Sequence, residues 1–180
     1  MNNAKTLRIG MLGCGVVGSN VARLLHEDSG DFAARSGATL ELTKVAVRNI
    51  STKRDHVPAS NVTTDASSVV NDPSIDIIVE VMGGIEPART LILRALNNGS
   101  SIVTANKALL AKYGTEIFTA AEANDADVYY EAAVAGAIPL LRPLRESLVG
   151  DKVRRVLGIV NGTTNFILTK MDDMNIRVNR

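Results

Sequence analysis

With 180 residues, 46% of them hydrophobic and 22% charged, the chain has the composition of a soluble globular protein with room for one sizeable core. Lys plus Arg is 20 and Asp plus Glu is 19, a formal charge of +1 that leaves no electrostatic footprint for nucleic acid or an anionic membrane as partner. Its apolar runs are too short to span a bilayer, and the lone Cys14 excludes an internal disulfide.

Met1 to Lys5 leads straight into a strand-like segment with no apolar leader, so a cytoplasmic setting is expected. Leu7 to Leu12 reads as a buried strand. A glycine cluster follows, then a helix from Val16 to Leu25 with Val17, Val21, Leu24 and Leu25 as its apolar residues. Asp28 to Thr39 is polar and long for a connection, which predicts a surface insertion. Leu40 to Val47 forms the second strand, and Val57 to Thr64 a short third one. Asp65 to Ser68 opens a helical turn, and Asp72-Pro73 breaks the chain ahead of a strand over Ile75 to Glu80. Pro87 starts a helix to Asn97 that Asn98-Gly99 closes. Ser101 to Thr104 is a strand, Ala108 to Ala123 a helix interrupted by Gly114, and Asp127 to Glu131 another strand. Beyond it, Pro139 begins a helix through Leu148, and Lys152 to Val160 has the β-branched content of a strand. Gly162 to Asn165 leads into a last helix over Phe166 to Met174.

Alternation of short buried strands with helices predicts an α/β fold, a doubly wound parallel sheet covered by helices. A boundary is expected after about Ala135, giving a first domain over 1–135 and the start of a second over 136–180.

Gly13-Cys14-Gly15-Val16-Val17-Gly18 matches G-x-G-x-x-G between a strand and a helix, the context of a Rossmann-type dinucleotide site. Gly13 permits the tight turn, Gly15 leaves room for a pyrophosphate, and Gly18 lets the helix pack on the sheet. The free amides at the helix start then hold the phosphates. At the end of the second strand an acid would favour NAD; the chain has Arg48 there, with Lys53 and Arg54 nearby. A guanidinium can grip a 2′-phosphate, so NADP is the expected cofactor and NAD the alternative.

Later strand ends carry further candidates, since ligands of open parallel sheets lie outside the carboxyl ends of strands. Glu80 ends an apolar strand, and Gly83 in Met82-Gly83-Gly84 can bring backbone to the nicotinamide ribose. Thr104-Ala105-Asn106-Lys107 puts Lys107 at a helix start, where a cation costs about 0.3–1 kcal/mol, a cost that binding a substrate oxygen or moving a proton would offset. Glu131 borders Ala132 to Gly136, where a carboxylate needs a partner or a cation, and Ala135 to Ile138 can offer carbonyls to a hard ion. His26, His56 and Cys14 lack metal-ligand spacing, and no Walker-A motif, Ser/His/Asp order or carboxylate pair is evident.

Six segments in this order resemble the homoserine dehydrogenase family: Gly13 to Gly18, Val45 to Arg48, Glu80 to Gly84, Thr104 to Leu109, Tyr130 to Gly136 and Asn161 to Leu168. The likeness covers residues 7 to 172. It implies reversible NAD(P)-linked oxidation of L-homoserine to L-aspartate 4-semialdehyde, in threonine and methionine biosynthesis. It implies that Lys107 is the catalytic lysine and that the phosphates and nicotinamide are bound by Gly13, Cys14, Gly15, Val16, Val17, Gly18, Arg48, Gly83, Thr104 and Lys107. Glu131, Gly162 and Thr163 are implied substrate-side residues, and Glu131, Val134, Gly136 and Ile138 a sodium-binding turn. The resemblance further implies a homo-oligomer and the start of a truncated α+β substrate and dimerisation domain. Residues Met174 to Arg180 depart from the family pattern, and a second lysine and an essential acid of the family have no counterpart here. A catalytically incomplete fragment is therefore expected. The alternatives are a non-catalytic NADP-binding module and a related amino-acid or sugar oxidoreductase.

Overall fold

The computed structural model describes residues 5–136, 138–158 and 162–174, and divides into two compact units, Met1–Ala133 and Val134–Arg180.

The first unit holds six strands: β1 (Lys5–Leu12), β2 (Ala38–Ala46), β3 (Val62–Thr63), β4 (Ile77–Glu80), β5 (Ser101–Thr104) and β6 (Val128–Tyr129). All pair in parallel, in the order β3-β2-β1-β4-β5-β6. This is the doubly wound order, with its switch point between β1 and β4, where a crevice opens at the carboxyl ends. The connecting helices are α1 (Val16–Glu27), α2 (Ser29–Ser36), α3 (Ala66–Val70), α4 (Ala88–Asn97) and α5 (Lys107–Ala123).

Alternate strand residues feed two cores, as the period of a strand dictates. Ile9, Met11, Val45 and Val79 pack with Ala22 of α1. Leu12, Ile78 and Ile102 pack on the other face with Val69, Ile92, Leu96, Leu109 and Ile117 of α3, α4 and α5. Gly10 lies between them for a steric reason that the glycine motif does not cover. A Cβ there would stand 2.7 Å from Val69 Cγ1 and 2.9 Å from both Ile75 Cδ1 and Ile78 Cδ1. The bare strand lets α3 settle close to the sheet.

Several sequence expectations need correction. Residues 29–36 are a helix, not an insertion: Asp31 lies in its first turn, Arg35 in its last, and Gly37 closes it at φ +71°. Strand β2 accordingly begins at Ala38. The expected strand over 57–64 shrinks to Val62–Thr63, preceded by a 3-10 turn at Ala59–Asn61. Strand β6 stops at Tyr129, and Glu131 starts a 3-10 turn. Helix α5 passes through Gly114 with a kink at Tyr113, whose φ is −128°.

In the second unit, the expected helix over 139–148 is instead a wide π-helical turn at Pro143–Ser147, with Leu148 N donating to Pro143 O at 3.0 Å. Pro143 has no N–H to continue a regular helical ladder. Lys152 to Gly158 has no ladder partner among the described residues, so no strand forms there; Ile159 and Val160 lie outside the described residues. The last helix, α6, covers Gly162–Asp173.

An ion pair ties β2 to the turn before β4. Lys44 Nζ donates to Asp72 at 2.7 Å, and Asp72 also accepts from Ser74 N at 3.0 Å and Ser74 Oγ at 2.7 Å. The Lys44 hydrogen bond, then those of Ser74, hold the Asp72 carboxyl well below the usual carboxylate range. A depressed carboxyl stabilises the fold above its unfolded pKa and loses that contribution as pH falls through its native value. Asp72→Asn should therefore lower the urea midpoint at pH 7 by the equivalent of about 1 kcal/mol. Below about pH 4 the gap from wild type should begin to narrow and go on narrowing toward pH 2; a gap that stayed constant would show that Asp72 titrates normally in the folded chain.

Candidate dinucleotide-binding site

Three glycines shape the mouth of the β1–β4 crevice, each for a different reason. Gly13 adopts φ +95°, and a Cβ on it would lie 2.8 Å from Met82 Cα and 2.9 Å from Met82 N. Its amide donates to Ala46 O at 2.9 Å, so the turn is pinned to β2 while resting on the backbone that leaves β4. A Cβ on Gly18 would come within 2.5 Å of Gly13 O, so the first turn of α1 closes directly on the loop. Around Gly15 nothing lies within 4 Å of the Cβ position.

Gly15 is the N-cap of α1 and has no side chain to satisfy the first-turn amides, and no side-chain cap bond is formed. The first amides of a helix have no partner within it and carry the positive end of its dipole. Val16 and Val17 flank this opening at 84% and 53% exposure. A space beside bare backbone, lined by unpaired donors, fits a pyrophosphate. These are the features by which the chain accommodates a dinucleotide.

Around this opening, the remaining sequence candidates are placed unequally. Arg48 is exposed just beyond β2. Arg54, which the sequence offered only as a nearby basic residue, is the better-anchored cation. It donates from Nη1 to Thr52 O at 2.6 Å and from Nη2 to Asn49 O at 3.0 Å, and its charge acts on the Cys14 thiol. Burial pushes that thiol up, and the adjacent Arg54 only partly opposes the shift, which argues against Cys14 as a nucleophile. His26 and His56, far apart in sequence, have ring centroids 5.5 Å apart, and His56 Nε2 lies 3.8 Å from Glu27. No group of three metal-capable side chains occurs among the described residues.

Gly83 and Gly84 both have left-handed φ, +72° and +77°, and Gly83 faces open space. Thr104 is 1% exposed, its hydroxyl turned inward to Glu80 at 2.7 Å. Lys107 is exposed on the first turn of α5, directly after the cap residue Asn106, whose Oδ1 accepts from Leu109 N at 3.2 Å. Asn106 was not singled out as a cap, although an Asn before an apolar-periodic segment is such a signal. Glu131 is half-buried at the end of the first unit. Val134, Gly136 and Ile138 belong to the second unit, where Ala135 and Gly136 have φ of +58° and +62° and Ile138 N donates to Ala135 O at 3.2 Å. Gly162 and Thr163 are exposed in the first turn of α6.

Comparison with known proteins agrees with this geometry. The family described as homoserine dehydrogenase, NAD binding domain, matches residues 13–131, and the homoserine dehydrogenase family matches residues 139–179. Homoserine dehydrogenase of Mycobacterium tuberculosis is 52% identical over 168 residues, which cover 93% of this chain and 38% of the relative. The crystal structure of a homoserine dehydrogenase from Thiobacillus denitrificans superposes with a TM-score of 0.85 at 44% identity, over 94% of this chain and 39% of that one. A hyperthermophilic archaeal homoserine dehydrogenase in complex with NADPH gives a TM-score of 0.76 at 29% identity, over 93% and 57% of the two chains. The chain thus spans about two-fifths of the length of the curated relatives it matches.

The three glycines should separate by experiment. Gly15→Ala should leave the unfolding free energy within about 1 kcal/mol of wild type, since the new methyl meets nothing. Gly18→Ala should cost about 1–3 kcal/mol, because the methyl meets backbone. In fluorescence titrations Gly15→Ala should nonetheless weaken NADPH binding about tenfold or more. Unchanged affinity would remove the pyrophosphate from the opening.

Proposed function

The chain belongs to the homoserine dehydrogenase family, and we propose from this that it forms the dinucleotide-binding part of an enzyme interconverting L-homoserine and L-aspartate 4-semialdehyde. An NAD(P) cofactor is supported by the matched NAD-binding domain, and the observation that carries the reading is the open helix start at Gly15 within the β1–β4 crevice. The amides of Gly15, Val16 and Val17 hold the pyrophosphate, with Gly13, Cys14 and Gly18 shaping the loop, and Gly83 lies on the nicotinamide side. When bound, the nicotinamide supplies hydride acceptance and donation.

The finer assignments rest on the family resemblance and on the chemistry of each group. Arg48, exposed beyond β2, grips the 2′-phosphate of NADP, and Arg54 is anchored further along the same loop. The Lys107 ammonium holds the substrate oxygen and moves its proton, from a helix start where the dipole opposes a cation and an oxygen ligand offsets that cost. The resemblance assigns Glu131, Gly162 and Thr163 to the substrate side, and Glu131, Val134, Gly136 and Ile138 to a sodium ion, for which backbone carbonyls are suitable ligands. On this reading residues 1–135 are the cofactor domain and 136–180 open the substrate and dimerisation domain of a cytoplasmic homo-oligomer. Among the described residues, no helix is long and apolar enough to cross a membrane.

The direct test is titration of the chain with NADPH, followed by a homoserine-dependent NADPH formation assay at alkaline pH. Saturable NADPH binding is expected. Turnover would extend the proposal to the whole reaction, binding without turnover would confine this chain to the cofactor half, and failure to bind would end it. Arg48→Ala should weaken NADPH by about tenfold, the loss of a charge-assisted contact, and NADH by less than about twofold. Equal losses would take the 2′-phosphate away from Arg48.

A further inference from the structure

Behind the nicotinamide side of the crevice lies a closed circuit of buried polar groups that no dinucleotide fingerprint requires. Glu80, at the end of β4, is fully buried. Its Oε1 accepts from Met82 N at 3.0 Å and Gly83 N at 3.1 Å, and its Oε2 accepts the Thr104 hydroxyl at 2.7 Å. Thr104 Oγ1 in turn accepts from Asn106 N at 3.0 Å. Asn106, 7% exposed, donates from Nδ2 to Gly84 O at 2.6 Å, which returns the circuit to the turn where it began.

Burying a carboxylate is unfavourable unless its lone pairs are matched by donors. An apolar residue at position 80 would fill the same core without that cost, but it would release the Met82 and Gly83 amides. What the carboxylate secures is shape. One oxygen fixes the double left-handed glycine turn at 83–84; the other, through Thr104, fixes Asn106 and therefore the start of α5 that carries Lys107. Two wall elements from different strands are thereby held in one register.

We propose that Glu80, Thr104 and Asn106 are positioning residues that set the Gly83–Gly84 turn and Lys107 together, apart from the pyrophosphate grip at Gly13 to Gly18. The proposal rests on the dinucleotide reading above and assigns the circuit to its nicotinamide half. Thr104 acts here from behind the site, through its hydroxyl, in place of touching the cofactor with its side chain.

Thr104→Val is the informative variant. It keeps the branched shape but removes both the donor to Glu80 and the acceptor of Asn106 N. Glu80 retains the Met82 and Gly83 amides, so the backbone on which Gly13 rests is left alone. Binding is measured for NADPH and for 2′-phospho-ADP-ribose, which lacks the nicotinamide. Thr104→Val should weaken NADPH about tenfold and 2′-phospho-ADP-ribose less than about twofold, and Thr104→Ser should restore NADPH to within about twofold.

Asn106→Asp provides a second route that does not depend on the valine variant folding. It preserves the cap acceptor for Leu109 N but turns a carboxylate against Gly84 O, and the same selective loss is expected. Equal weakening of both ligands, or no weakening of either, would overturn the positioning role while leaving the dinucleotide site standing. Wild-type protein that bound neither ligand would overturn the dinucleotide reading and this proposal with it.

Discussion

The site depends on a contact between two backbones. Where β1 ends, Gly13 lies so close to the Val81–Met82 segment that a methyl group would fall inside van der Waals distance, and Gly18 repeats the condition against Gly13 itself. Strand, loop and helix are therefore stacked without side chains between them. That stacking places the bare start of α1 over the crevice at the sheet's switch point. A side chain at Gly13 or Gly18 would push these layers apart. A side chain at Gly15 would meet no atom of the protein. Steric necessity thus accounts for two glycines of the motif, while the protein's own packing places no such demand on the third.

The polar circuit at Glu80 solves a related problem on the other side of the switch point. The chain leaves β4 through a turn with two successive positive φ values, which brings its amides round to the buried Glu80 carboxylate. A buried carboxylate must be paired, and one of its oxygens accepts from two of these amides. The remaining oxygen is then free to recruit β5 through Thr104. Backbone geometry that glycine makes accessible is in this way converted into a single arrangement by a charged group. The two devices are adjacent, since Gly13 rests on Met82 and Met82 N binds Glu80.

Sequence revealed the parts of this design that are local. Strands β1, β4 and β5 are apolar runs bounded by turn residues, and the glycine motif stands between a strand and a helix. Helix α2 escaped because its residues are polar and Gly30 suggested a loop, whereas its end signals, Asp31, Arg35 and Gly37, were present. Gly10 escaped for a deeper reason: its demand comes from Val69, Ile75 and Ile78, distant in sequence. Arg54 likewise gains its significance from a loop that folds back on Cys14. Glu80 was visible as an odd acid at a strand end, but the three donors that explain it come from two elements. Pattern reading finds elements; it does not find partners.

The segment from Lys152 shows the same limit from the opposite direction. Its β-branched residues satisfy every local condition for a strand, yet a strand exists only through hydrogen bonds to a neighbour, and none pairs with it among the described residues. Val153, Val156 and Leu157 are exposed, as are Phe166, Ile167 and Leu168 on α6, and no residue of α6 is buried. Among the described residues of the second unit these apolar side chains find no buried core. The first unit, by contrast, closes two cores, one on each face of its sheet. Cofactor binding is accordingly the function that the first unit's own packing can sustain, because every group assigned to the pyrophosphate grip and to the Glu80 circuit is held within it.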